Sequence, residues 1–167
     1  ITNNRNIKFY DDIIFTLYTT EVTDWDLEIN YSSEEQSDRY QYYLCWHPEK
    51  VKNIFGNESS DDYRLLYQFE KKFHGYRTLK YHKQEENSSG GRWGNPMIPM
   101  IRMSEVYYIA AEAICDKNLA EAQEYVEMVK EGRGVYVDLS SLNKDGLINM
   151  ILNDVQRELS GEGQVFF

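Results

Sequence analysis

The sequence predicts a mainly α protein: a helical hairpin and a closing helix, with long irregular loops and a few short β-strands. Three apolar stripes predict it. Val106, Ile109, Ala110, Ala113 and Ile114 recur at helical spacing, opposite Glu105, Tyr108, Glu112 and Asp116. Leu119, Ala122, Val126 and Val129 do the same opposite Gln123, Glu127 and Lys130, after a very short polar break. Leu147, Ile148, Ile151, Leu152, Val155 and Leu159 form the third stripe, against Asn149, Asn153, Gln156 and Arg157. The stretch from Pro96 to Gly134 therefore reads as a hairpin, with Ala110, Ala111 and Ala113 removing bulk where its two helices cross. Helix pairs of this length are the unit of tetratricopeptide-like arrays, in which neighbours cover the faces a lone pair leaves open.

In chain order, residues 1 to 9 are polar and rich in Asn, and Ile13 to Tyr18 gathers β-branched and aromatic residues into a strand. Glu21 to Gln41 lacks sustained periodicity and reads as a surface excursion; Tyr40, Tyr42, Tyr43 and Trp46 then crowd together. Pro48 opens a short helix that Gly56 stops, and Asn57 to Asp62 is a polar turn. One or two short strands are expected between Arg64 and Lys83, with Leu79-Lys80-Tyr81 alternating like one. Asn87 to Pro96 carries three glycines and no apolar pattern, so it is a loop. Asn118 with Glu121 makes a capping box that starts the second hairpin helix, and Gly132 and Gly134 end it. Val135 to Ser141 is a linker, Asn143 to Gly146 leads into the last helix, and Gly161 and Gly163 weaken its end. Residues 1–95 thus form a loop-rich part with short strands, and residues 96–167 a helical part of the same domain.

At 167 residues the chain is long enough for one domain with a sizeable core. A net charge of -10 argues against nucleic acid and anionic membrane as partners, since both need clustered cations. No apolar run approaches the ~20 residues of a membrane helix. The first residue is Ile1 rather than Met, so the chain is expected to be a piece of a longer protein with targeting signals upstream. Cys45 and Cys115 form neither a zinc cluster nor a CxxC pair; a single disulfide stays open without support from the sequence, and Cys115 is expected in the core.

Candidate chemistry is sparse. Asp154, Glu158 and Glu162 fall four apart on one helix flank, a separation that suits a retaining glycosidase pair. Three acids on one helix side are far more often solvated or paired with arginine, and Arg157 is an expected partner for one of them, or for Glu105 or Glu112. His47, His74 and His82 make no helical metal pair, and the residues from Ser141 place Leu152 where a calcium loop needs Glu. Gly90-Gly91 and Gly94 precede no Lys-Ser/Thr, so no phosphate loop and no cofactor is indicated. Asn30, Asn57 and Asn87 begin glycosylation sequons, a short pattern that often arises by chance. Aromatics, at 14% with 14 Tyr, are the one unusual feature. Sugars present an apolar face and a rim of hydroxyls, which suits exposed rings beside amide or guanidinium groups. Trp25, Trp46 and Trp93, the last flanked by Arg92 and Asn95, lie outside the helical stripes and are the candidate glycan-binding set. The competing role for each Trp is to anchor its loop to the core.

Three stretches also carry a family pattern: residues 96–113 (Ile101, Arg102, Glu105, Ala111, Glu112, Ala113, with Ser104 where Ala is usual), Asn118 to Val126, and Ile151 to Phe167 (Ile151, Leu152, Asp154, Arg157, Glu158, Leu159, Glu162, Gly163, Phe166). With the short Asp62-Tyr63-Arg64 and Lys80-Tyr81 pairs, they span roughly the last two thirds of the chain. Together they resemble the C-terminal part of the SusD/RagB family of glycan-binding surface lipoproteins, although Val155 stands where a second Arg is common. The family usually continues beyond Phe167, so a truncated C-terminus is expected. The resemblance implies a non-catalytic protein at the bacterial outer membrane, held by a lipid anchor upstream of this chain. It implies oligosaccharide or polysaccharide as ligand and a SusC-like TonB-dependent transporter as partner. It also implies that the loops before Pro96 contribute to the ligand side and the helix pairs to the transporter side. A helical-repeat module for protein partners is the alternative, and a glycoside hydrolase the third.

Overall fold

The computed structural model describes residues 9–18, 46–56, 61–72, 75–80 and 97–162. A 3-10 turn at Tyr10–Asp12 leads into β1 (Ile13–Tyr18). Then come α1 (Pro48–Phe55), α2 (Tyr63–Gln68), β2 (Phe69–Lys72) and β3 (Gly75–Thr78). After β4 (Met97–Arg102) follow α3 (Met103–Ile114), α4 (Leu119–Gly132) and α5 (Lys144–Glu158). Mostly helical with short strands, the architecture agrees with the expected class.

The helix starts lie where capping chemistry puts them. Pro48 supplies a preset φ at the first turn of α1, and His47 Nδ1 accepts from Glu49 N. The Asn118 side chain accepts from Glu121 N and donates to the Glu121 carboxylate at 2.9 Å, so the box closes side chain to side chain. Asn143 caps α5 by accepting from Gly146 N at 2.9 Å. Helix α3 has no side-chain cap of its own from Arg102; Asp12, from the turn before β1, takes that role by accepting from Ser104 N at 3.1 Å and Ser104 Oγ at 3.0 Å.

Two antiparallel pairs supply the β content. β1 pairs with β4, Phe15 facing Ile101 and Thr16 facing Pro99, so the first residues of the expected hairpin stretch are strand rather than helix. The period-2 preference of Ile13 to Tyr18 needed a partner, and the Pro96 stretch is where it found one. β2 pairs with β3, and Trp46 extends that ladder through reciprocal bonds with Tyr76. β2 and β3 are the short strands expected between Arg64 and Lys83, although Leu79 and Lys80 lie beyond β3 and are not strand; Tyr63 to Gln68, for which the sequence predicts no helix, form α2 with Asp62 as its cap.

The main core is built from Tyr108, Ala111, Cys115, Ala122, Val126, Val129, Leu139, Leu147 and Ile151, which joins α3, α4 and α5, with α4 and α5 contributing their predicted stripes. A smaller cluster gathers Val51, Phe55 and Phe69 under Trp46, Leu65 and Tyr76. The faces differ from expectation in one systematic way. On α3 the buried line is Ser104, Tyr108, Ala111 and Cys115, whereas Val106, Ile109 and Ala113 are exposed. Tyr108, Gln123, Lys130 and Arg157, all assigned to polar faces, are buried. Of the three alanines only Ala111 is fully buried at the crossing. Apolar spacing correctly locates a helix, but the buried face is set by polar partners that spacing does not register.

Candidate functional site

The buried Arg64 is the centre from which the molecule's polar interior can be traced. Asp62 at the N-terminus of α2 accepts from Arg64 N and Nε, both at 2.9 Å, and from Nη2 at 2.7 Å. One carboxylate therefore caps the helix and holds the guanidinium in plane. Nη2 also donates to Asp154 Oδ1 at 3.0 Å, and Nη1 donates to Asp154 Oδ2 and Glu158 Oε2, each at 3.2 Å. All five guanidinium N–H groups are thus used, and two acids on α5 are tied to a segment some ninety residues earlier.

Asp154 is also bonded by Tyr108 Oη at 2.5 Å, by Arg157 Nη1 at 3.0 Å and by Lys130 Nζ at 3.4 Å. Arg133 grips Glu158 with two donors, Nη2 at 2.6 Å and Nε at 3.0 Å, and reaches Asp12 at 2.7 Å while its plane covers the Phe9 ring. Beyond the end of α5, Glu162 accepts from Lys80 Nζ and Arg102 Nη2, both at 2.8 Å. Lys80 Nζ also donates to the Glu158 carbonyl at 2.5 Å, a cation satisfying a C-terminal carbonyl where the helix dipole favours it.

Electrostatics follow from this geometry. Burial works to raise the Asp154 pKa, but Arg64, Lys130 and the Tyr108 hydroxyl outweigh it and hold the carboxyl well below the usual range. Glu158 is likewise opposed by burial yet pushed down to about 2 by Arg133, Arg64 and Arg102. Burial, with Asp154 and Glu158 adding to it, raises Tyr108, and burial lowers Lys80 against the pull of Glu162. A retaining glycosidase needs one carboxyl protonated as acid beside an ionised one. Asp154 and Glu158 are both ionised at neutral pH and bonded to fixed cations, so the paired-with-arginine assignment of these acids is the correct one, and Arg157 is indeed one partner. Their chemistry is that of a clamp between segments. Among the described residues no group of three or more His, Cys, Asp or Glu could hold a metal ion, and no helix is long and apolar enough to cross a membrane.

Of the candidate ring set, Trp46 is half-buried, with its edge on Phe69 at a centroid distance of 6.2 Å. Trp25, Trp93, Arg92 and Asn95 lie outside the described residues, as do the three sequons, Tyr40, Tyr42, Tyr43, Cys45, His74, His82, Tyr81, Gly163, Phe166 and the loop from Asn87 to Pro96. The cluster of buried charges was not anticipated as a unit. Its members are visible in the sequence only in pieces: the short Asp62-Tyr63-Arg64 and Lys80-Tyr81 motifs and three acids four apart, two on the last helix and Glu162 just beyond it.

Comparison with known proteins turns on this same scaffold. A model of the SusD family matches residues 2–167. A SusD-like carbohydrate binding protein from Bacteroides vulgatus superposes over 91% of this chain with a TM-score of 0.65 and 20% identity. Two SusD superfamily proteins from Bacteroides thetaiotaomicron superpose over 82% and 93% of the chain, with TM-scores of 0.59 and 0.61 and identities of 25% and 21%. The chain spans about a third of the length of these solved proteins, 32% to 36%. Comparison with curated protein sequences finds no match.

Proposed function

The chain belongs to the SusD family, and from that premise we propose that it is the scaffold-bearing portion of a longer, non-catalytic glycan receptor at the bacterial cell surface. The receptor binds oligosaccharide or polysaccharide through its loops and passes it to a SusC-like TonB-dependent transporter in the outer membrane. A lipid anchor on the polypeptide upstream of these residues holds it there. The single observation that carries this reading is the family match over nearly the whole chain. The fixed, fully paired state of Asp154 and Glu158 supports the non-catalytic part, since neither has a proton to give at neutral pH.

Trp25, Trp46 and Trp93, with Arg92 and Asn95, are the proposed sugar contacts. A pyranose face stacks on an indole ring while amide and guanidinium groups take its hydroxyls. A glycan array probed with the intact polypeptide and its Trp25→Ala, Trp46→Ala and Trp93→Ala variants tests this. Loss of at least ~10-fold in affinity for a bound glycan in one variant, at unchanged Tm, supports the ring site. Unchanged binding in all three removes it. New reducing ends on polysaccharide incubated with the intact protein would instead make it a hydrolase.

A further inference from the structure

The smaller aromatic core stands apart from the main one. Val51, Phe55 and Phe69, with Trp46, Ile54, Leu65 and Tyr76 packed against them, share no residue with the cluster that joins α3, α4 and α5. Its rings form a relay: Phe55 meets Phe69 edge-on at 5.6 Å and 78°, and Phe69 meets Trp46 at 6.2 Å and 85°. Trp46 is held from two sides. Its N–H donates to the Tyr76 carbonyl at 2.7 Å and its carbonyl accepts from Tyr76 N at 2.9 Å, while the next residue, His47, is the N-cap of α1. Any tilt of α1 therefore moves both ends of the relay.

Arg157 ties α1 to the main scaffold. It is buried in the last turn of α5, where Nε donates to the Ile54 carbonyl at 2.7 Å and Nη1 to Asp154 Oδ1 at 3.0 Å. Ile54 lies in the last turn of α1, where carbonyls find no partner further along the helix and the dipole favours a cation. Asp154 is itself fixed by Arg64 and Tyr108, so the guanidinium spans from an immobile carboxylate to the end of α1. A planar fork with directed donors suits that span, whereas a single ammonium does not.

We propose that Arg157 is a positioning residue for Trp46: by bridging Asp154 to the Ile54 carbonyl it sets α1 and, through Phe55 and Phe69, the orientation of the indole. The consequence for ligand rests on Trp46 being a sugar contact; the consequence for the ring does not. Lys130 is the matched comparison, since it is buried and donates to the same Asp154 oxygen at 3.4 Å, but from α4.

The test uses the intact polypeptide carrying Arg157→Met, Arg157→Lys or Lys130→Met. Acrylamide quenching follows Trp46 in a Trp25→Phe and Trp93→Phe background, and glycan affinity is measured with all three tryptophans present. Both Arg157 variants should raise Trp46 quenching by at least ~2-fold at unchanged far-ultraviolet circular dichroism, and weaken by ~10-fold any glycan that Trp46→Ala also weakens, while Lys130→Met alters neither. Unchanged quenching in both Arg157 variants overturns the proposal. So does an equal rise in Lys130→Met, which would make the effect one of general damage to the buried charges, or loss of fold in both Arg157 variants, which would make the residue a support of the whole domain. Should Trp46→Ala bind every glycan as before, the ring site falls, and the quenching comparison still decides the role of Arg157.

Discussion

Arg64 and Glu158 define what single residues contribute. Each is buried and ionised, a combination that is costly unless every polar atom is matched, and here Asp62, Asp154 and Arg133 provide the matching. Sequence reading could not find this, because composition places arginine and lysine at the surface and no local pattern marks Arg64 or Lys130 as buried. Glu158 carries a testable consequence. Its carboxyl titrates near 4.5 when unfolded and is held at about 2 when folded, so its stabilising contribution is complete above the unfolded value. That contribution fades as pH falls from about 4.5 towards 2, with Asp154 adding in the same direction. Urea unfolding across this interval should show stability falling with acid. Glu158→Gln should be less stable at pH 7 by roughly 3 kcal/mol, through an Arg133 that keeps Asp12 but loses its two-donor grip on a carboxylate, and should lose part of the acid dependence. An unchanged slope in the variant would place the titration elsewhere.

Elements were legible where their signals are local. The caps at Pro48, Asn118 and Asn143, the strand at Ile13 to Tyr18 and the core stripes of α4 and α5 all follow from short-range chemistry. Helix α3 was legible as a helix and misread in orientation. Periodicity identifies an apolar face without saying which neighbour covers it, and Ser104 and Tyr108 face inward because Asp12 and Asp154 wait there. Helix α2 was hidden because its cap, Asp62, also looks like the end of a polar turn. The junction of α2 with α4 depends on Gly134, at φ +79, where a Cβ would stand 2.6 Å from the Tyr63 ring and 2.9 Å from the Asp61 carbonyl. Tyr63 N also donates to the Arg133 carbonyl at 2.8 Å. Gly134→Ala should therefore cost roughly 1–3 kcal/mol. Gly132→Ala, with open space around it and an ordinary φ, should be neutral or stabilising by up to ~1 kcal/mol. Thermal melts of the two variants check the contrast, and equal losses would refute the steric assignment.

At the scale of the whole molecule, the division at residue 95 separates composition more than structure. β1 pairs with β4 across it, and Asp12, Arg64 and Lys80 from one side meet Arg102, Arg133, Asp154, Glu158 and Glu162 from the other. Neither part can lose the other without stranding buried charge, so the described residues should unfold as one unit. In a protein keeping Trp46 alone through Trp25→Phe and Trp93→Phe, indole fluorescence and helical circular dichroism should lose signal at the same denaturant concentration. A helical transition that outlasts the fluorescence would establish two units. The clamp through Arg64 also bears on rates. Its partners lie some ninety residues along the chain, and a guanidinium sheds water gainfully only once all of them have arrived. Contacts of this range should form after the folding barrier, acting chiefly as a brake on escape from the native state; Asp154→Asn would then speed unfolding in urea while leaving the refolding rate nearly unchanged. A fold closed in this way should be reached no faster for having these charges and left slowly.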